Sequence, residues 1–141
     1  MTSYNVSSSQ GGTLLPVGIT LQPDGTYSLG NVGRAASLVS PVAQPTTNSY
    51  ANIGAAIDTI FAALVSFTIV NSGANTLTWQ VLGGNAADLS DAVVVQAGAD
   101  VAAAGISSYS GSAVWRYYVV QAKSKVNGSA GTALVRGITK G

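Results

Sequence analysis

Short segments of alternating apolar and polar residues, cut at regular intervals by Gly, Asn, Ser, Asp and Pro clusters, recur along about 120 residues of this chain. That pattern constrains the fold more than any other feature. Alternation with period two buries one face of a strand, and frequent turn residues stop any strand from growing long. The candidates are Thr13 to Leu21, Thr26 to Leu29, a short one around Ala36 to Val39, 64 to 70, Leu77 to Val81, Ala92 to Val95, Gly105 to Tyr109, Trp115 to Lys123 and Thr132 to Ile138. Many short strands without a helix-rich half predict an all-β chain, a single β-sandwich or jelly-roll-like barrel with an extended N-terminal arm.

Two connections read as hairpins. Gln22-Pro23-Asp24-Gly25 places proline, which presets φ, before glycine, which accepts positive φ. Asn71-Ser72-Gly73-Ala74-Asn75 separates Phe67 and Ile69 from Leu77, Trp79 and Val81, and its length suits a hairpin loop. Residues 50 to 65 are ambiguous. Ile53, Ile57, Ile60 and Leu64 would share one helical face, but Gly54 and the β-branched Ile57, Thr59 and Ile60 favour strands at 55 to 61 and 64 to 70. The stretch Ala51 to Val70 is apolar, yet Asp58 and several polar residues interrupt it, so it reads as buried core and not as a membrane span.

The expected organisation is one domain in three parts. Residues 1–12 are a small, polar, flexible arm or a segment ordered by a partner, residues 13–49 a hairpin and extended connection, and residues 50–141 the sandwich core. The start has neither a basic n-region nor an apolar h-region, so no secretory signal is expected.

The chemistry available is narrow. The 141 residues include no His, Cys or Glu, and only five Asp. Histidine and cysteine supply the usual nucleophile-activating pairs and transition-metal ligands, so no catalytic, cofactor or metal residue is assigned. Asp58-Thr59 has the opening of an aspartic-protease motif, but Ile60 stands where that chemistry needs glycine, and a strand-end aspartate is the plainer reading. Asn85, Asp88 and Asp91 lack the alternate ligands and terminal Glu of a calcium loop and read as backbone caps. Five of the six basic residues, Arg116, Lys123, Lys125, Arg136 and Lys140, follow residue 114 near Trp115, Tyr117 and Tyr118. A net charge of +1 is too small for a dedicated nucleic-acid binder, and solvated strand faces are expected. Trp79, Trp115, Tyr117 and Tyr118 offer sugar-stacking rings, although alternation sends some of them to the core, Trp79 first.

With 8% charged residues, the surface is poorly defended against association, which predicts a permanent partner or self-assembly. Several segments resemble small β-sandwich structural proteins of tailed-phage virions, the class of capsid decoration (cement) proteins and head-fibre domains. They are residues 66–83, from Ser66-Phe67-Thr68-Ile69-Val70 through Leu77-Thr78-Trp79-Gln80-Val81, then Val101 to Gly105, residues 115–124 around Tyr117-Tyr118, and residues 135–140. Residues 1–49 lie outside the resemblance. It implies a non-enzymatic protein on the virion surface, made in the host cytoplasm. Its partners would be the major capsid protein and its own copies, most simply as a homotrimer, with no cofactor, nucleic acid or membrane. A carbohydrate-binding or receptor-binding module of a tail fibre is the alternative, and a dimeric aspartic hydrolase comes third.

Overall fold

The computed structural model describes residues 3–6, 17–21, 27–29, 36–37 and 43–141. It divides into two compact units, Met1–Arg34 and Ala35–Lys140. In the first, β1 (Ser3–Val6), β2 (Val17–Leu21) and β3 (Tyr27–Leu29) form an antiparallel sheet in the order β1-β2-β3. Leu21 pairs with Tyr27, as the Pro-Asp-Gly hairpin predicts; the turn itself and residues 13 to 16 lie outside the described residues. Ser3–Val6 departs from the expectation of an arm. It pairs along its length with β2, from Ser3 opposite Thr20 to Val6 opposite Val17. Composition counts side chains, whereas this strand gains a backbone partner.

The second unit is all-β and consists of two packed antiparallel sheets. Its strands are β4 (Ala36–Ser37), β5 (Gln44–Pro45), β6 (Ala51–Asn52), β7 (Ile57–Asp58), β8 (Leu64–Asn71), β9 (Leu77–Gly84), β10 (Val93–Val101), β11 (Ile106–Ser112), β12 (Tyr117–Ser124) and β13 (Thr132–Lys140). One sheet runs β10-β9-β12-β6 with β7 also on β12, and the other runs β11-β8-β13-β4 with β5 also on β13. Connected strands β8 and β9, β10 and β11, and β12 and β13 hold the same rank in opposite sheets. The chain therefore crosses between layers again and again, and the core lies between them.

That topology corrects the second hairpin. β8 pairs with β11 and β13, β9 with β10 and β12, so Asn71 to Asn75 bridges the sheets and joins no paired strands. Both strands are amphipathic, and each sends alternate residues inward: Val65, Phe67 and Ile69 from one layer, Leu77, Trp79 and Val81 from the other, all buried. Tyr118, Val120, Ala122, Ala133 and Val135 complete the centre. Gly137 is required by this packing, since a Cβ there would come within 2.7 Å of Ile57 Cδ1 and 2.9 Å of Phe67 Cε1.

Residues 50 to 65 form no helix. Ile53 and Ile57 are buried, but Ile60 and Leu64, one helical face away in sequence, are exposed, and of the segment 55 to 61 only Ile57–Asp58 is strand. No helix among the described residues is long and apolar enough to cross a membrane.

One buried amide ties the inter-sheet connections at one end of the sandwich. Asn71 Nδ2 donates to the carbonyls of Asn75 (2.8 Å), Val101 (3.0 Å) and Ala102 (3.1 Å), while its Oδ1 accepts from the N–H of Gly73 (3.0 Å) and Thr132 (3.3 Å). These partners belong to the β8–β9 connection, to the end of β10 and the residue after it, and to the start of β13. Asn71→Ala leaves several of them without a partner, for an expected loss of about 2–4 kcal/mol. Asn71→Asp does not rescue it, because a carboxylate would face three carbonyls; thermal unfolding of both variants beside Asn75→Ala, which removes far less, checks this.

Candidate functional site

Strands β8, β11, β12 and β13 bring one pole of the sandwich together, and the loops there are pinned from inside. The buried Tyr118 hydroxyl accepts from the N–H of Val114 (3.0 Å) and Trp115 (3.3 Å) and donates to the Ser112 carbonyl (3.1 Å), fixing the β11–β12 connection. Thr59, buried after β7, donates its hydroxyl to the Trp115 and Arg116 carbonyls, and its carbonyl accepts from Ala62 N–H at 2.8 Å to close a turn. Ala113 N–H donates to the Ala63 carbonyl, so the two loops lie side by side.

What these anchors display is apolar. Phe61 is 86% exposed, Val114 74%, Ile60 54% and Leu64 46%. A shallow groove between the loops is lined by Ile60, Ala62, Val114 and Trp115 together with the polar Asn85 and Arg116. Trp115 itself packs on Gly83, where a Cβ would collide with the indole. This pole corrects the reading of residues 51 to 70 as uniformly buried: the run turns out of the core at Thr59 because its hydroxyl is captured by carbonyls of the neighbouring connection. The unbroken apolar sequence gave no sign of where the chain would leave the core.

The residues singled out for chemistry have local structural duties. Asp58 accepts from Ile60 N–H at 3.0 Å and pairs with Arg116 at 3.4 Å, both partly exposed, the position of a strand-end aspartate. Asp91 accepts from the N–H of Asn85 and Ala86, and Asp88 from Ser90 through backbone and hydroxyl, while Asn85 accepts from Arg116 N–H. They cap the β9–β10 hairpin as backbone ligands. No cluster of three or more acidic metal ligands occurs among the described residues.

The basic residues are dispersed. Arg116 lies 5.1 Å from the Tyr117 ring centroid, Lys123 4.8 Å from that of Tyr50, and Lys125 pairs with Asp100 at 2.7 Å. Arg136 and Lys140 belong to β13 in the other sheet. Trp79 and Tyr118 are core residues, as alternation anticipates for Trp79, and the buried indole N–H of Trp79 has no acceptor among the described residues. Across the outer face of β9, β12 and β6 runs an amide ladder, Gln80 to Gln121 to Asn52, with both bonds at 2.9 Å.

Two such antiparallel sheets packed face to face define a β-sandwich. It is similar to a chain of the Bacillus endospore appendages, which form a novel family of disulfide-linked pili: 15% identity, TM-score 0.51, 77% of this chain and 88% of that chain. A chain of PirA also aligns, at 15% identity and TM-score 0.35 over 79% of this chain and 95% of that one. No protein-family model and no curated protein matches.

Titration follows from the same contacts. The Ser90 hydroxyl lowers the pKa of Asp88, the Ala86 and Asn85 N–H groups that of Asp91, and the hydrogen bonds from Lys125 and Thr78 that of Asp100. Burial raises Tyr50 and Tyr109 above the usual phenol value. Carboxylates held low stabilise the fold above about pH 4 and lose that contribution in acid; phenols held high stabilise it below about pH 10 and lose it in base. A melting temperature flat from about pH 5 to 9 and falling at both ends is expected. Because the aspartates cap backbone groups, adding a chelator leaves the curve unchanged.

Proposed function

We propose that this chain is a non-enzymatic structural subunit that acts by binding neighbours in a protein assembly, and that the assembly is a viral capsid which it decorates. The observation that carries this reading is the apolar pole. Exposed large side chains grouped on loops that are themselves rigidly hydrogen-bonded mark a surface prepared for contact, since ordering it costs little further entropy. A scarcity of charge suits permanent interfaces, whose cores are depleted of charged residues. The fold shared with a pilus-forming chain supports a structural role. That neighbour's pili are disulfide-linked, whereas this chain has no cysteine and can form no disulfide to its neighbours.

In this reading the pole seats Phe61 and Val114 against the major capsid protein on the outside of the virion, bridging neighbouring capsomers. Purified protein mixed with bare capsid shells should pellet with them, and Phe61→Ser combined with Val114→Ser should reduce the bound fraction at least tenfold with little change in melting temperature, because both side chains are already in water. Failure of the unaltered protein to pellet, or equal binding by the variant, would reject the proposal. Retention on glycan surfaces instead would favour the tail-fibre module.

A further inference from the structure

Four sheet edges flank the sandwich, and three are guarded. Strands β4 to β7 along β12 and β13 are two residues each, and β5 contains Pro45. The β10 edge is broken by register shifts at Val94/Gln96 and Gln96/Ala99 and carries the Asp100–Lys125 pair. Short strands, proline, bulges and charge are the devices by which natural sheets prevent edge-to-edge pairing. β11 has none of them. Its sequence, Ile-Ser-Ser-Tyr-Ser-Gly-Ser, is uncharged, and it pairs with β8 at every position from Ile106 opposite Val70 to Ser112 opposite Leu64 without a shift. Among the described residues its outer edge has no strand beside it.

We propose that β11 is the self-association edge of this protein, pairing antiparallel with β11 of a second copy about a twofold axis at Tyr109. The occupant is a second copy because the strand is complementary to itself in that register. Ser108 lies opposite the partner's Ser110, Ser107 opposite the partner's Gly111 and Ile106 opposite the partner's Ser112, with no charge to repel and serine pairs to exchange hydrogen bonds. A net charge of +1 leaves little long-range repulsion between copies. The result is one continuous sheet, β13-β8-β11 followed by its symmetry mate, in which the outward N–H and C=O groups of Ser108 and Ser110 are paired, while the Ser112 carbonyl stays with Tyr118 and Val114 of its own chain. The pairing is independent of the particle to which the apolar pole binds.

The chain lacks cysteine, so engineered thiols report on this register alone. Directly opposed residues lie about 4.5–5.5 Å apart at Cα, within disulfide reach, whereas Ser108 and the partner's Ser108 are diagonal and about 7–8 Å apart. A mixture of Ser108→Cys protein and Ser110→Cys protein should oxidise to a covalent dimer, with either variant alone cross-linking at least fivefold less. Sedimentation equilibrium should give twice the chain mass for the unaltered protein and the chain mass for Ser108→Lys combined with Ser110→Lys, which opposes like charges at two sites on an exposed face. Circular dichroism of that variant should match the unaltered spectrum. A monomeric or threefold unaltered protein, a dimeric lysine variant that is folded, or cross-linking equal in the single and mixed samples would overturn the proposal.

Discussion

The sandwich depends on satisfying backbone groups where the chain leaves one sheet for the other. At each such crossing the ladder ends, and N–H and C=O groups near the core lose their strand partners. At one end a single carboxamide does most of this. Asn71 has two donor hydrogens and one acceptor oxygen, and its 0% exposed side chain reaches five backbone groups from three separated stretches. No hydroxyl has two donor hydrogens and no carboxylate donates, so an amide is the side chain that fits. The close approach also demands small residues: a Cβ on Gly73 would come within 2.5 Å of Thr132 N, and one on Gly131 within 2.9 Å of the Asn75 carbonyl. At the opposite end Tyr118 and Thr59 do the equivalent work with hydroxyls, gripping Val114, Trp115, Ser112 and Arg116.

This scheme leaves the few charges little to do outside the fold. Asp91 and Asp88 hold a hairpin, Asp58 meets Arg116, and Asp100 meets Lys125 and Thr78. Exposed ion pairs of this kind contribute little in water, so the stability rests on the core and on its buried polar anchors. Surfaces free of those pairs are correspondingly neutral. The uncharged β11 edge is one such surface, whereas the exposed apolar side chains of the pole lie beside the Asp58–Arg116 pair.

Much of the architecture was legible before any coordinates. Strands near 64 to 70, 77 to 81, 115 to 123 and 132 to 138 follow from alternation and turn residues, and the Pro-Asp-Gly hairpin from turn chemistry alone. The aspartates announced themselves as caps because their spacing suited backbone amides better than a metal. Other features were hidden for identifiable reasons. Ser3–Val6 is polar, and its pairing partner lies 11 residues or more further along the chain. Phe61 sits in an apolar run, where hydropathy favours burial, and is turned outward by a threonine hydroxyl bound to residues 115 and 116.

The sequence by itself determined that this chain would be all-β, that Trp79 would face inward, and that catalysis by histidine or cysteine was closed to it. Tertiary structure decided which strands lie side by side and which lie across the core. The alternation of β8 and β9 is the same in either arrangement, because a buried face needs apolar company and does not specify whether that company comes from its own sheet or the opposite one. Only the hydrogen-bonding directions of the backbone choose, and these are settled by contacts between residues far apart in sequence, such as Phe67 with Gly137 and Trp79 with Ala122.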